Sequence, residues 1–253
     1  MIGTEASLSS HSQSFTQNSG KDWLIVALDV ASTAATQKLV QSIGDEAVFY
    51  KVGLQLFTAE GPPVVRELVA SGKKVFLDLK IHEIPNSAAG AVKSAASLGV
   101  DMVTVHAAGG REMLKAAAEA AASAPKPPLV LAVTVLTSLS GDDLREIGYG
   151  GDAKAQALRL ARLAQQAGCG GLVASAKEVS ELRAELGSGM RLVIPGIRPA
   201  GADKQDQQRI ATPAEAIRAG ADYLVVGRPI SAADNPAGAA RAIAREIEEA
   251  FRG

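Results

Sequence analysis

The run Val75-Phe76-Leu77-Asp78-Leu79-Lys80-Ile81-His82-Glu83-Ile84-Pro85-Asn86 holds one full unit of the chain's architecture. Apolar residues lead straight into an acid and a base two positions apart, and a polar, proline-marked stretch follows. Near-continuous apolar runs mark strands buried on both faces, the habit of parallel sheets. Side chains on a strand alternate, so regular pairing would turn Asp78 and Lys80 to one face and Leu77 and Leu79 to the other. A fixed acid–lysine pair at a strand end can move a proton. It can equally be a surface ion pair, which carries little energy and needs no function. The other strand ends decide.

The same unit recurs along the chain. Apolar, β-rich runs fall at 24–29, 47–52, 74–79, 101–106, 129–135, 171–174, 191–194 and 223–226. Helical, mostly Ala-rich runs lie between and after them at 34–43, 62–71, 87–98, 111–122, 153–167, 177–186, 213–219 and 236–251. Gly72, Gly99, Gly168 and Gly220 stand at helix-to-strand joins, where a glycine stop is expected. Two joins share a Gly-x-Asp refrain, Gly99-Val100-Asp101 and Gly220-Ala221-Asp222. Eight strands, each followed by a helix, predict an α/β fold: one (β/α)₈ TIM barrel over residues 22–253. A doubly wound sheet is the alternative, but the first strand runs into Val30-Ala31-Ser32-Thr33, with no glycine-rich dinucleotide loop.

Composition agrees with one large domain of 253 residues. Hydrophobic residues make up 47% and aromatics only 4%, so the core must be Val, Leu, Ile and Ala. A net charge of -1 argues against a nucleic-acid surface. Cys169 is the single cysteine, which rules out an intramolecular disulfide and a Cys-based metal cluster. No apolar run approaches the ~18 residues of a membrane span. Residues 1–21 are rich in Ser, Thr and Gln and lack an apolar core, so they read as a disordered leader rather than a secretory signal. The expected location is cytoplasmic.

In a (β/α)₈ barrel the chemistry lies at the C-terminal ends of the strands. Those positions carry Asp29, Lys51, Asp78 with Lys80, His106, Thr134 and Thr137, Pro195-Gly196-Ile197-Arg198, and Gly227-Arg228. Buried charges cost several kcal/mol unless paired. Two acids and two lysines at adjacent strand ends therefore read as an alternating network aimed at one ligand. Barrels often hold a phosphate between the loops after strands 7 and 8. Gly196 and Gly227 would admit backbone N–H groups, and Arg228 supplies a bidentate cation. The polar segment 199–208 reads as a lid, with Gln207 placed to bridge lid and ligand. The three histidines, His11, His82 and His106, have no metal-ligand spacing, and no metal is expected.

Taken together, the chain resembles the orotidine 5′-phosphate decarboxylase family. The resemblance is carried by Leu77–Asn86, Val26-Ala27-Leu28-Asp29, Tyr50-Lys51-Val52-Gly53, Val133–Ser138, Pro195–Pro199 and Val226–Ile230, in order over nearly the whole chain. It implies a barrel of the ribulose-phosphate-binding type that converts orotidine 5′-monophosphate to uridine 5′-monophosphate without metal or organic cofactor. Lys80 would protonate C6, while Asp78 would hold Lys80 and repel the substrate carboxylate. Lys51 and Asp29 would contact the ribose, and Thr137 the pyrimidine. Gln207, Gly227 and Arg228 would hold the phosphate, with Arg198 beside the lid; Asn86 and Pro195 complete the implied substrate contacts. The family is similar in having an acid at Glu83, but its acid is Asp and reaches the neighbouring site of a homodimer. Glu83 adds a methylene to that reach. Related readings are a magnesium-dependent sugar-phosphate decarboxylase or synthase barrel and a catalytically silent nucleotide-binding barrel.

Overall fold

The computed structural model describes residues 19–150, 152–200 and 211–252. Eight parallel strands close into a barrel in sequence order, the last pairing with the first. They are β1 (Leu24–Ala27), β2 (Phe49–Gly53), β3 (Lys74–Ile81), β4 (Met102–His106), β5 (Leu129–Val133), β6 (Gly171–Val173), β7 (Arg191–Ile194) and β8 (Tyr223–Val226). Each falls within or across one of the expected runs. The helices are α1 (Thr33–Ile43), α2 (Leu54–Glu60), α3 (Pro62–Ala70), α4 (Pro85–Ser97), α5 (Gly110–Ala122), α6 (Gly141–Glu146), α7 (Ala153–Gln166), α8 (Val179–Leu186), α9 (Pro213–Arg218), α10 (Arg228–Ser231) and α11 (Pro236–Arg252). Three of them, α2, α6 and α10, are absent from the sequence reading. Each has seven residues or fewer, too short to show a helical period. Among the described residues no helix is long and apolar enough to cross a membrane.

The apolar core has two layers. One lies between strands and helices, built mostly from Val, Leu, Ile and Ala, with Tyr50, Met113, Met190 and Cys169 among them. The other fills the barrel itself with Ile25, Phe49, Phe76, Met102, Leu131, Val193 and Val225. These are inward positions of successive strands, so the residues two places further along β2, β3 and β4 also point inward: Lys51, Asp78 and Thr104. Polar chemistry thus begins one layer above an apolar plug.

The Gly-x-Asp refrain has a structural purpose at the opposite end of the barrel. Asp101 accepts the N–H of Val75 at 2.9 Å, and Asp222 accepts the N–H of Leu192 at 2.8 Å. In both cases the carboxylate just before one strand satisfies a backbone donor near the start of the strand before it. Gly99 and Gly220, with φ of 81° and 107°, end the preceding helices in a backbone region that favours glycine.

The expected leader ends too late. Gly20–Asp22 form a short 3₁₀ helix. Gly20 is buried so closely against α11 that a Cβ there would stand 1.9 Å from the Ala244 carbonyl oxygen. The barrel therefore includes residues before 22, while residues 1–18 of that leader lie outside the described residues.

Candidate active site

In the segment 75–86 the strand β3 does not stay regular to its end. β3 pairs with β4 as Phe76–Met102 and Leu77–Val103, and then as Ile81–Val105. Three residues of β3, Asp78, Leu79 and Lys80, therefore stand opposite Thr104 alone. Lys80 has a φ of 51°, the one positive φ at a non-glycine among the described residues. Such a backbone costs of order 1–3 kcal/mol and persists only where its surroundings hold it. Simple alternation foretold a shared direction for Asp78 and Lys80; the bulge produces that convergence by another route.

The result is a chain of alternating charges. Lys80 Nζ donates to both carboxylate oxygens of Asp78, at 2.8 and 2.9 Å. Lys51 Nζ lies 3.7 Å from Asp78 Oδ2 and 3.2 Å from Asp29 Oδ1. The middle of this chain is nearly dry: the side chains of Asp78 and Lys51 are 11% and 12% exposed, while Asp29 opens to solvent. Gly53, the last residue of β2, makes room for it, since a Cβ there would come within 2.8 Å of Lys51 Nζ.

These charges form one side of a cavity of about 330 Å³ at the C-terminal ends of the strands. Its floor is apolar, with Ala27, Phe76, Val133, Val173 and Val225. Val135, Leu136, Thr137, Ala174, Pro195, Gly196, Arg198, Gly227 and Arg228 complete the lining. Arg198 is 6% exposed and donates through Nη1 to the Ile197 carbonyl. Burial, and then the Arg228 charge, hold its guanidinium below the usual arginine range. Two cations facing one space favour an anion between them.

Of the residues singled out in the sequence, Asp29, Lys51, Asp78, Lys80, Thr137, Pro195, Arg198, Gly227 and Arg228 border this one cavity. Asn86 does not: it is exposed in the first turn of α4 and lies outside the lining. Glu83 is also exposed, and its Oε2 accepts the N–H of Ile84 rather than facing its own barrel. Thr134 is buried and donates to the Val173 carbonyl. Gln207 and most of the expected lid, residues 201–208, lie outside the described residues. His106 stacks on His82 with ring centroids 5.3 Å apart and accepts the Ala108 N–H through Nδ1. Neither ring borders the cavity. Burial first, then the His82 and Lys80 charges, pull the His106 pKa down.

Thr104 is the residue the sequence reading missed. Its hydroxyl accepts the Lys80 N–H at 2.8 Å and donates to Asp78 Oδ1 at 3.0 Å. The available signal was its place on the inward face of an apolar strand, between Met102 and His106.

Comparison with known proteins follows the same outline. Residues 22–243 match the model of the Orotidine 5'-phosphate decarboxylase / HUMPS family. The chain is 53% identical to the orotidine 5'-phosphate decarboxylase of Moorella thermoacetica over 234 residues, 90% of this chain and 93% of that one. It is also 53% identical to the enzyme of that name from Anaeromyxobacter sp. (strain K), over 87% of this chain and 96% of the other. Among solved structures, orotidine 5'-phosphate decarboxylase from Lactobacillus acidophilus superposes with a TM-score of 0.81 at 40% identity, covering 88% of this chain and 98% of its own.

Proposed function

From its membership of the orotidine 5'-phosphate decarboxylase / HUMPS family, to which this chain belongs, we propose that it is a carboxy-lyase of pyrimidine biosynthesis. In this reading it acts in the cytoplasm, releasing carbon dioxide from orotidine 5′-monophosphate to give uridine 5′-monophosphate. The observation that carries the reading is the alternating Asp29–Lys51–Asp78–Lys80 network, set in the same cavity as Arg198, Gly227 and Arg228.

The chemistry needs what this arrangement offers. Breaking the bond from C6 to the carboxylate leaves its electron pair on C6, where the ring delocalises it poorly. Enzymes lower barriers by on the order of 8–23 kcal/mol, and this step draws on the upper part of that range. Preorganised charge and a positioned proton donor are the available means. Lys80 gives its proton to C6 as the bond breaks and is reprotonated from solvent. Asp78 holds the Lys80 ammonium on that line and opposes the substrate carboxylate, an interaction relieved as carbon dioxide leaves. Lys51 and Asp29 contact the ribose hydroxyls and Thr137 the pyrimidine. Arg228 and the Gly227 backbone hold the phosphate, with Gln207 closing over it. Binding energy gathered at the phosphate, remote from C6, is thereby used at the reacting carbon.

Glu83 belongs to the same proposal. It is exposed beside Ile84, itself 66% exposed, on a loop outside the cavity lining. In a homodimer that loop can supply Glu83 to the neighbouring site. Dilution should then lower activity per subunit as the dimer separates, and a fully active monomer would rule the arrangement out.

The direct test follows the absorbance change of orotidine monophosphate, with and without EDTA, beside a sugar-phosphate assay. Turnover of the nucleotide that resists EDTA is the expected result. Turnover of a sugar phosphate alone, or tight uridine-nucleotide binding without turnover, would overturn the assignment.

A further inference from the structure

A bulge takes backbone groups out of the ladder, and a buried N–H so released needs another partner. The bulge in β3 sets Asp78, Leu79 and Lys80 against Thr104 alone. The Lys80 N–H finds its acceptor in the Thr104 hydroxyl at 2.8 Å. The hydroxyl's own proton goes to Asp78 Oδ1 at 3.0 Å. The directions are fixed by chemistry: a backbone N–H can only donate and a carboxylate can only accept. One side chain therefore holds both the left-handed backbone that launches Lys80 and the carboxylate that grips its ammonium.

The setting suits a positioning device. Thr104 has no solvent exposure and stands behind the cavity without lining it. Its strand neighbours Val103 and Val105 are buried and apolar. A β-branched side chain has few rotamers, so its hydroxyl is held in place by packing. Valine would fill the same volume and remove both hydrogen bonds.

We infer that Thr104 is a positioning residue for the proton donor: through its hydroxyl it fixes the Lys80–Asp78 pair in reacting geometry while touching no substrate. The inference rests on the decarboxylase reading above. A shift of about 1 Å at a reacting group can cost around a hundredfold in rate, so its signature is a loss confined to turnover.

The test compares Thr104→Val and Thr104→Ser with wild type, using kcat per folded molecule, KM, and the affinity for uridine monophosphate. Thr104→Val should lose roughly thirtyfold to a hundredfold in kcat, with KM and nucleotide affinity within about threefold of wild type. Thr104→Ser, which restores the hydroxyl, should return kcat to within about threefold. If the valine variant does not fold, Thr104→Ala removes the hydroxyl without crowding and should show the same split. The inference is overturned if the hydroxyl-free variants keep kcat within about threefold, if affinity falls as far as kcat, or if serine does not rescue. An active wild type beside unaffected variants overturns this inference alone, whereas a wild type inert toward orotidine monophosphate overturns the functional reading and this inference with it.

Discussion

Replacing Asp78 with asparagine keeps the shape of the side chain and removes the one negative charge shared by two ammonium groups. Lys80 Nζ lies 2.8 Å from that carboxylate and Lys51 Nζ 3.7 Å. At an effective dielectric near 20 these contacts correspond to gross attractions of about 6 and about 4.5 kcal/mol. Most of that is spent in taking the charges out of water, and removing one partner of a buried pair costs about 3–5 kcal/mol net. The Lys80 side chain keeps 32% of its exposure, and the asparagine oxygen can still accept from it. The lower end, about 3 kcal/mol, is therefore the expected loss of stability. In a domain of this size that lowers Tm by about 6–12 °C. Turnover should fall at least a hundredfold, since Lys80, the proposed proton donor, loses its hold. KM should fall with it, because in the proposed mechanism this carboxylate opposes that of the substrate. Thermal unfolding followed by circular dichroism, together with steady-state kinetics well below Tm, measures all three. A Tm within about 2 °C of wild type would refute the network's part in stability. A kcat within tenfold, about 1.4 kcal/mol, would refute its part in catalysis.

Three further outcomes follow from other parts of the molecule. Lys80→Ala should abolish measurable decarboxylation yet bind uridine monophosphate within about threefold of wild type; residual turnover within tenfold, about 1.4 kcal/mol of barrier, would exclude Lys80 as proton donor. Gly20→Ala forces a methyl to 1.9 Å from the Ala244 carbonyl, and such overpacking should cost about 1–3 kcal/mol in urea unfolding with kcat unchanged; an unaltered midpoint would show that the 3₁₀ helix does not seal α11. His106 has a lowered pKa, chiefly through burial and then through the His82 and Lys80 charges. The unfolded chain therefore takes up this proton first as pH falls. The stability due to neutral His106 is fully present above the unfolded value of about 6.5 and is lost as pH drops through the folded value. His106→Asn should flatten urea-unfolding stability between pH 7.5 and 5.5 relative to wild type, and parallel curves for the two proteins would contradict that assignment.

The barrel was legible because its signals are local and repeated. Eight apolar runs, each closed by polar residues and a helical stretch, admit few architectures, and glycines at 72, 99, 168 and 220 punctuate the joins. The cavity wall was legible for a related reason. Charged residues ending apolar strands stand out against their surroundings, and barrel topology gathers strand ends at one mouth. The bulge was not legible. Nothing in Asp78-Leu79-Lys80 distinguishes regular alternation from three residues facing one, because register depends on a partner strand more than 20 positions away. Thr104 escaped with it. A threonine in a strand is ordinary by β propensity, and only the pairing gives its hydroxyl two specific partners. Asn86, a substrate contact implied by the resemblance alone, stands exposed in the first turn of α4 and outside the cavity lining, a placement that neither strand pattern nor barrel topology specifies.

Along the barrel axis the strands carry strand-pairing carboxylates at one end, an apolar plug in the middle and the charge network at the other. At the N-terminal end Asp101 and Asp222 bind strand to strand by accepting backbone N–H groups. In the middle Phe49, Phe76, Met102, Leu131, Val193 and Val225 make a dry plug. One inward step above it, the same strands carry Lys51, Asp78 and Thr104. The plug keeps water from the lower side of the network and lets its charges act in a medium less polar than water, where each is stronger and each mismatch costs more. A small change in the plug should therefore reach the chemistry. Shortening Phe76, which both fills the barrel and floors the cavity, removes support from the charges directly above it, whereas loss of Asp222 at the far end weakens the barrel while leaving the network's own contacts in place. The apolar layer beneath the charges limits the positions they can take, which is what the proposed chemistry requires of them.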